Sequence, residues 1–250
     1  MKRTISVILV ALLIIFTAML LVACTGGINK EEDWNSAMQA FLTADAVTLK
    51  IKDDMWTYKS NSIIIDHHDK SNITLSFDGK KGIVAITYKY NDYTIRGGWA
   101  NGTYKMYYVK EDNKIIFYKM FEGSSAGWNY RQTKTFDTED EAMAFLRKLY
   151  INPTNQVSMP FTAESPWPDF TEMNYNNFTA GNMGKFEYVK TDNDRRVNTF
   201  TLNFSNGKPT KFTYDTRMPK EVVNTDKYSV KIYYSASITL PDGLPTQDIG

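Results

Sequence analysis

Apolar and polar positions follow two periods along this chain, and each period predicts its own kind of element. Trp34, Ala37, Met38, Phe41 and Leu42 recur at the spacing of one helical face, which predicts an amphipathic helix ending near Ala44. From Val47 the period falls to two: Val47, Leu49 and Ile51 alternate with Thr48, Lys50 and Lys52, and Ile73, Leu75 and Phe77 repeat the pattern. These are strands with one buried face and one wet face. Asp78-Gly79, Asn101-Gly102 and Asn206-Gly207 lie between such runs and predict hairpin turns, because these dipeptides tolerate positive φ. Thr138 with Glu141 three residues on is a capping box, followed by Ala142, Phe145, Leu146 and Leu149 on one helical face. Arg147 and Lys148 suit the negative end of that helix. Pro153, Pro160, Pro166 and Pro168 then preclude regular structure, before alternation returns at Asn198 to Phe204, Phe212 to Tyr214 and Tyr228 to Tyr234.

No helix long enough for a parallel crossover lies between neighbouring strands, so antiparallel pairing is expected throughout. The later meander has about four or five strands and a stripe that needs a partner surface. One continuous sheet is therefore expected, in a single domain over 34–250 with a Pro-rich insertion at about 151–170.

The middle strands break the alternation. Tyr104, Met106 and Tyr108 lie on one face while Tyr107 and Val109 occupy the other, and Ile115, Phe117 and Phe121 oppose Ile116, Tyr118 and Met120 in the same way. Strands apolar on both faces must be covered on both. Two readings follow. Protein covers both faces, or part of one lines an apolar cavity that a ligand fills.

The first 23 residues are a different kind of segment. Lys2 and Arg3 form a basic start, Ile5 to Ala18 an apolar stretch, and Ala23 a small residue before a cut, the layout of a secretory signal peptide over 1–23. Leu21-Val22-Ala23-Cys24 resembles the lipobox of bacterial lipoproteins, and the sole cysteine of the chain stands where a lipobox needs it. The resemblance implies an acylated Cys24, a flexible tether over 24–33, and a protein on the cell membrane facing outside the cytoplasm. The alternative is a plain transmembrane anchor, since Ile5 to Ala23 supplies 19 residues. Two acyl chains hold a protein on a bilayer stably where one does not.

Composition then closes off several function classes. Of 250 residues 42% are hydrophobic and 23% charged, an ordinary globular balance. Loss of Lys2 and Arg3 turns the formal charge of +1 into −1, which gives no electrostatic reason to expect nucleic acid. One cysteine excludes disulfides within the chain and Cys-rich metal sites.

The order of elements, helix, long meander, helical insertion and shorter final meander, is similar to that of the LolA/LolB and LppX-type lipoprotein superfamily. Phe204 to Tyr214 resembles the late hairpin of those proteins, and Val230 to Tyr234 leading to Ile238-Thr239-Leu240-Pro241 their last strand. The resemblance implies a mainly β fold in which a long antiparallel sheet curls into an incomplete β-barrel, packed with an N-terminal helix and a mid-chain helical insertion. It also implies a lipid-holding interior. An anchor at Cys24 places this chain nearer the LolB or LppX kind than the soluble carrier LolA.

Catalytic chemistry is poorly provided. Asp66-His67-His68-Asp69 holds both histidines, but strand alternation leaves each face one histidine and one carboxylate, fewer than the three or four ligands zinc needs, so a solvated strand end with no metal is expected. No G-x-S-x-G elbow and no phosphate loop are present. No catalytic residue and no cofactor is assigned, and the chain reads as a non-enzyme. Trp99, Trp128 and Trp167 lie near Gly- or Pro-rich segments, where a ring either pins a loop or meets a sugar or partner. Gly123 to Gly127 reads as a mobile loop.

The expected function is that of an anchored lipoprotein binding or transferring a lipid or other hydrophobic ligand, with Tyr104, Met106, Tyr108, Ile115, Phe117 and Phe121 lining its site. The alternative is an anchored interaction module that contacts cell-wall glycan or an envelope protein such as a membrane sensor.

Overall fold

Strand alternation sets one side chain in every two on a common face, and among the described residues eleven strands join edge to edge. The computed structural model describes residues 30–58, 65–123, 127–151, 175–180, 184–191, 197–217 and 224–249. The strands are β1 (Ala46–Tyr58), β2 (Ile65–Asp78), β3 (Ile83–Thr94), β4 (Gly98–Glu111), β5 (Lys114–Phe121), β6 (Tyr130–Thr135), β7 (Thr179–Ala180), β8 (Lys185–Thr191), β9 (Val197–Ser205), β10 (Lys208–Arg217) and β11 (Asn224–Tyr233). They form one antiparallel sheet in the order β6-β5-β4-β3-β2-β1-β11-β10-β9-β8-β7. The pairing of β1 with β11 joins the two meanders, and the sheet stays open between β6 and β7.

The sheet curls around two helices. One core cluster takes in Ile115 and Phe117 near one edge, Phe186 near the other, and Val47, Leu49, Ile51, Leu75, Phe77 and Val230 between them. Helix α1 (Lys30–Leu42) lays Trp34, Ala37, Met38 and Phe41 onto this concave face. Full burial of each of its large apolar side chains contributes about 1.5–3 kcal/mol before entropy losses. Helix α2 (Glu139–Ile151) adds Ala142, Leu146, Leu149 and Tyr150 over β2 to β5. Its capping box forms in part: Thr138 Oγ1 accepts from the Glu141 amide at 3.2 Å, while the Glu141 carboxylate reaches one residue past the cap and accepts from the Asp137 amide at 3.0 Å. Arg147 does not serve its own helix end. Its guanidinium donates to the carbonyl of Ala44 at 2.9 Å, just beyond α1, because α2 passes that point.

Three turn and strand expectations meet different outcomes. Asn206 and Gly207 join β9 to β10 with φ of 52° and 65°, the left-handed pair that a two-residue hairpin requires. Asn101 and Gly102 are not a turn but lie inside β4, paired with Asn91 and Tyr90. Ile238 to Pro241 is not a strand: β11 ends at Tyr233, and the chain beyond it crosses the convex face as an extended tail.

That tail answers the question of the two-sided strands. Ile238, Leu240 and Leu244 pack with Ile83, Val109, Ile116 and Tyr118, the convex residues of β3 to β5, together with Tyr107 and Trp128. Its backbone is held at both ends, by Lys81 Nζ donating to the carbonyl of Ile238 at 2.9 Å and by a two-way bridge between Arg131 and Ile249. Asp248 accepts from Arg131 and from the amide and hydroxyl of Thr133.

Residues 1–23, read as a signal peptide, Cys24 and 25–29 of the expected tether, 152–170 of the expected insertion with Trp167, and Ser124 to Ala126 lie outside the described residues, whereas Lys30 to Asp33, also expected as flexible tether, form the first turn of α1. Among the described residues no helix is long and apolar enough to cross a membrane.

Candidate functional site

The concave face divides into two halves along its strands. Register pairs Tyr104 with Phe121 and Tyr108 with Phe117, so all six residues expected to line a site share one face, the concave one. Met106, Tyr108, Ile115 and Phe117 are fully buried among protein. The Tyr108 ring lies 4.7 Å from Phe117 and 6.1 Å from Phe145 of α2. Burial holds the Tyr108 phenol well above its usual range. Tyr104 and Phe121, 5.0 Å apart, are half-buried and lie further along the strands.

Around them the aromatic stripe continues. Tyr88, Tyr90 and Tyr104 form a near-parallel set with ring centres 5.9, 6.5 and 6.1 Å apart. Gly102 belongs to this arrangement, since a methyl group there would meet Tyr90 at 2.7 Å and the edge of Phe121 closer still. A strand glycine in this setting marks the close approach of two rings, not a turn.

Beside the rings stands a set of acids. Asp53 is in phase with Leu49 and Ile51 on β1, Asp69 with Ile73 and Leu75 on β2, and Asp92 with Ile86 and Tyr88 on β3. Asp69 and Asp92 are directly opposed in register, and His67 Nε2 lies 2.7 Å from the Asp69 carboxylate. Burial, then the charge of Asp69, raises the Asp92 carboxyl, with His67 acting in the other direction. Burial, then the charges of Asp92, Asp53 and Asp69, pushes the Tyr88 phenol up to about 12. Sequence reasoning missed Asp53 and Asp92, although the two-residue phase that located the core stripe passes through both.

The two histidines part as strand alternation requires, but His68 is no solvated end. It is 6% exposed on the convex side, stacked 3.5 Å from Trp56 and bonded to Asp54 at 2.8 Å. Trp99 closes over it edge-on at 5.9 Å and also meets Tyr93, yet is itself 58% exposed. Trp128 packs on Tyr107 at 5.4 Å and pins its loop against the convex cluster. Among the described residues no three His, Cys, Asp or Glu side chains are grouped to hold a metal ion. A cleft of about 490 Å³ is lined by Glu31, Glu32, Asn35 and Ser36 of α1. All four are exposed, and none is among the α1 residues Trp34, Ala37, Met38 and Phe41 that pack on the sheet.

No family model matches the chain, and the comparison with curated proteins found no match. A solved structure described as "Crystal structure of fusion DH domain" is similar over 74% of this chain and 73% of that one, at 6% identity and a TM-score of 0.11, values that carry no argument.

Proposed function

We propose that this chain is a lipoprotein held on the outer side of the cell membrane by acylated Cys24, and that the concave face of its sheet binds a lipid or other hydrophobic ligand. The observation that carries the reading is the aromatic stripe of Tyr88, Tyr90, Tyr104 and Phe121, which runs on from the core and is only half-buried. Large rings gathered on one concave face are the usual lining of a hydrophobic site. An acyl chain laid along them gains about 0.8 kcal/mol per buried methylene before ordering costs. Its path leads toward Met106 and Phe117, so the inner four residues of the expected site form the floor and the outer two the mouth. The resemblance in element order to lipid-holding lipoproteins supports the same reading. Native mass spectrometry of protein purified without detergent, followed by solvent extraction, tests it. Co-purifying lipid, lost when Tyr104 is changed to Asp, is the expected result; a ligand-free mass together with no saturable binding of any amphiphile would overturn it.

A second reading rests on the convex side. Trp99 is exposed beside Tyr93, near Ile95 at 44% exposure, and such rings serve contacts with glycan or another envelope protein. Change of Trp99 to Ala should then abolish binding to isolated cell wall while leaving lipid binding unaltered.

A further inference from the structure

Beyond the level of Ile51, the concave face of β1 to β4 carries charge of essentially one sign. Asp53, Asp69 and Asp92 project from it, and by register parity no lysine or arginine among the described residues of these strands does so. His67, against Asp69, is the one basic side chain there among the described residues, while Lys119 of β5 shares the concave face further in, paired with Met106 and 4.8 Å from the Tyr130 ring. The direct opposition of Asp69 and Asp92 is costly in itself, since like charges facing each other across an antiparallel pair destabilise it. A ligand that covers this face removes water from those carboxylates and raises the cost further, unless it brings a positive charge. The three tyrosines provide the complementary feature, ring faces that attract cations.

We propose that the outer, half-buried part of the concave face takes an amphiphile with a cationic, amine-type head group, its chain on Tyr88, Tyr90, Tyr104 and Phe121 and its head against Asp53, Asp69 and Asp92. The inference rests on the hydrophobic-ligand reading above and narrows it. A fatty carboxylate would place a fourth negative charge among three. An uncharged head would bury the Asp69–Asp92 pair with His67 as its one basic neighbour among the described residues of these strands. A cationic head adds to what His67 supplies and offsets both costs.

The test is calorimetric titration of the full chain carrying Cys24→Ala with dodecyltrimethylammonium, dodecanoate and dodecyl maltoside, each below its micelle concentration. The three share one chain and differ in head-group charge. The ammonium should bind at least about tenfold tighter than the carboxylate. Changing Asp53, Asp69 and Asp92 together to Asn should bring the ratio to within about threefold while the maltoside affinity holds. If that triple variant does not fold, Asp92→Asn alone should lower the ratio, since it ends the opposition with Asp69. Equal or tighter binding of dodecanoate, or a preference that survives these changes, overturns the head-group inference and leaves the hydrophobic-ligand reading standing. Failure of all three amphiphiles to bind overturns both.

Discussion

The hydroxyl of Tyr150 on α2 lies 3.0 Å from the carbonyl oxygen of Leu42, the last residue of α1, and 3.1 Å from that of Phe41. One buried side chain thus satisfies carbonyls that the end of a helix leaves without intrahelical donors. The Tyr150 ring also meets Phe41 edge-on at 5.4 Å and Phe77 at 4.9 Å, so it joins both helices to the sheet at one point. Change of Tyr150 to Phe keeps the rings and removes the donor. It should cost about 1–3 kcal/mol, the penalty of a buried acceptor left unmade, read as a lower midpoint in urea unfolding with unchanged slope.

The tail over the convex face should owe its hold to apolar burial more than to its ion pair. Ile238 is buried in the convex cluster, and Ile238→Ala should cost about 2–4 kcal/mol through lost burial and the cavity left behind. Asp248 is 52% exposed although Arg131 beside it is only 14% exposed, so Asp248→Ala should cost about 1–2 kcal/mol, less than the loss at Ile238. Thermal unfolding of the two variants separates these effects, and a larger loss from the aspartate would contradict the ranking.

Gly184 should tolerate no side chain. Its φ is +74°, its carbonyl accepts from the Phe204 amide at 2.7 Å, and a methyl group would run into the Phe204 carbonyl oxygen. Left-handed strain and a backbone clash add, so Gly184→Ala should destabilise by about 2–4 kcal/mol. Protease sensitivity of the β8–β9 edge should rise with it.

Alkaline titration should expose the field around Tyr88. Its folded value is raised above that of an unfolded tyrosine, so the neutral phenol favours the folded state. This contribution is fully present below pH 10 and is lost as pH rises toward about 12. Over that window wild type should lose more stability than Tyr88→Phe. Asp92→Asn should bring the Tyr88 ionisation, followed by ultraviolet absorbance, to lower pH.

Cys24 should govern the location of the chain. Cys24→Ala should abolish metabolic labelling with a fatty acid and leave the precursor uncleaved by the lipoprotein signal peptidase. Equal label on the variant would refute the anchor.

Local chemistry was enough to read much of this protein from its sequence. Hydrophobic period placed both helices, because Trp34 to Phe41 and Ala142 to Leu149 must each bury one stripe whatever they pack against. The Asn206-Gly207 turn was legible because few other dipeptides accept two positive φ values in succession. The shared face of Tyr104, Met106, Tyr108, Ile115, Phe117 and Phe121 followed from parity alone, once the strands were read as a hairpin. Parity does not say what lies across a face, however. That the convex side of β4 and β5 is covered by the chain's own tail depends on residues more than a hundred positions later, with no periodicity to announce them. Asn101-Gly102 was misleading for the same reason: its glycine answers to Tyr90 and Phe121, partners that exist only once three strands are paired. The opposition of Asp69 and Asp92 is likewise a fact of register between strands, since each aspartate alone is an ordinary polar residue and only their pairing gives the concave face its charge.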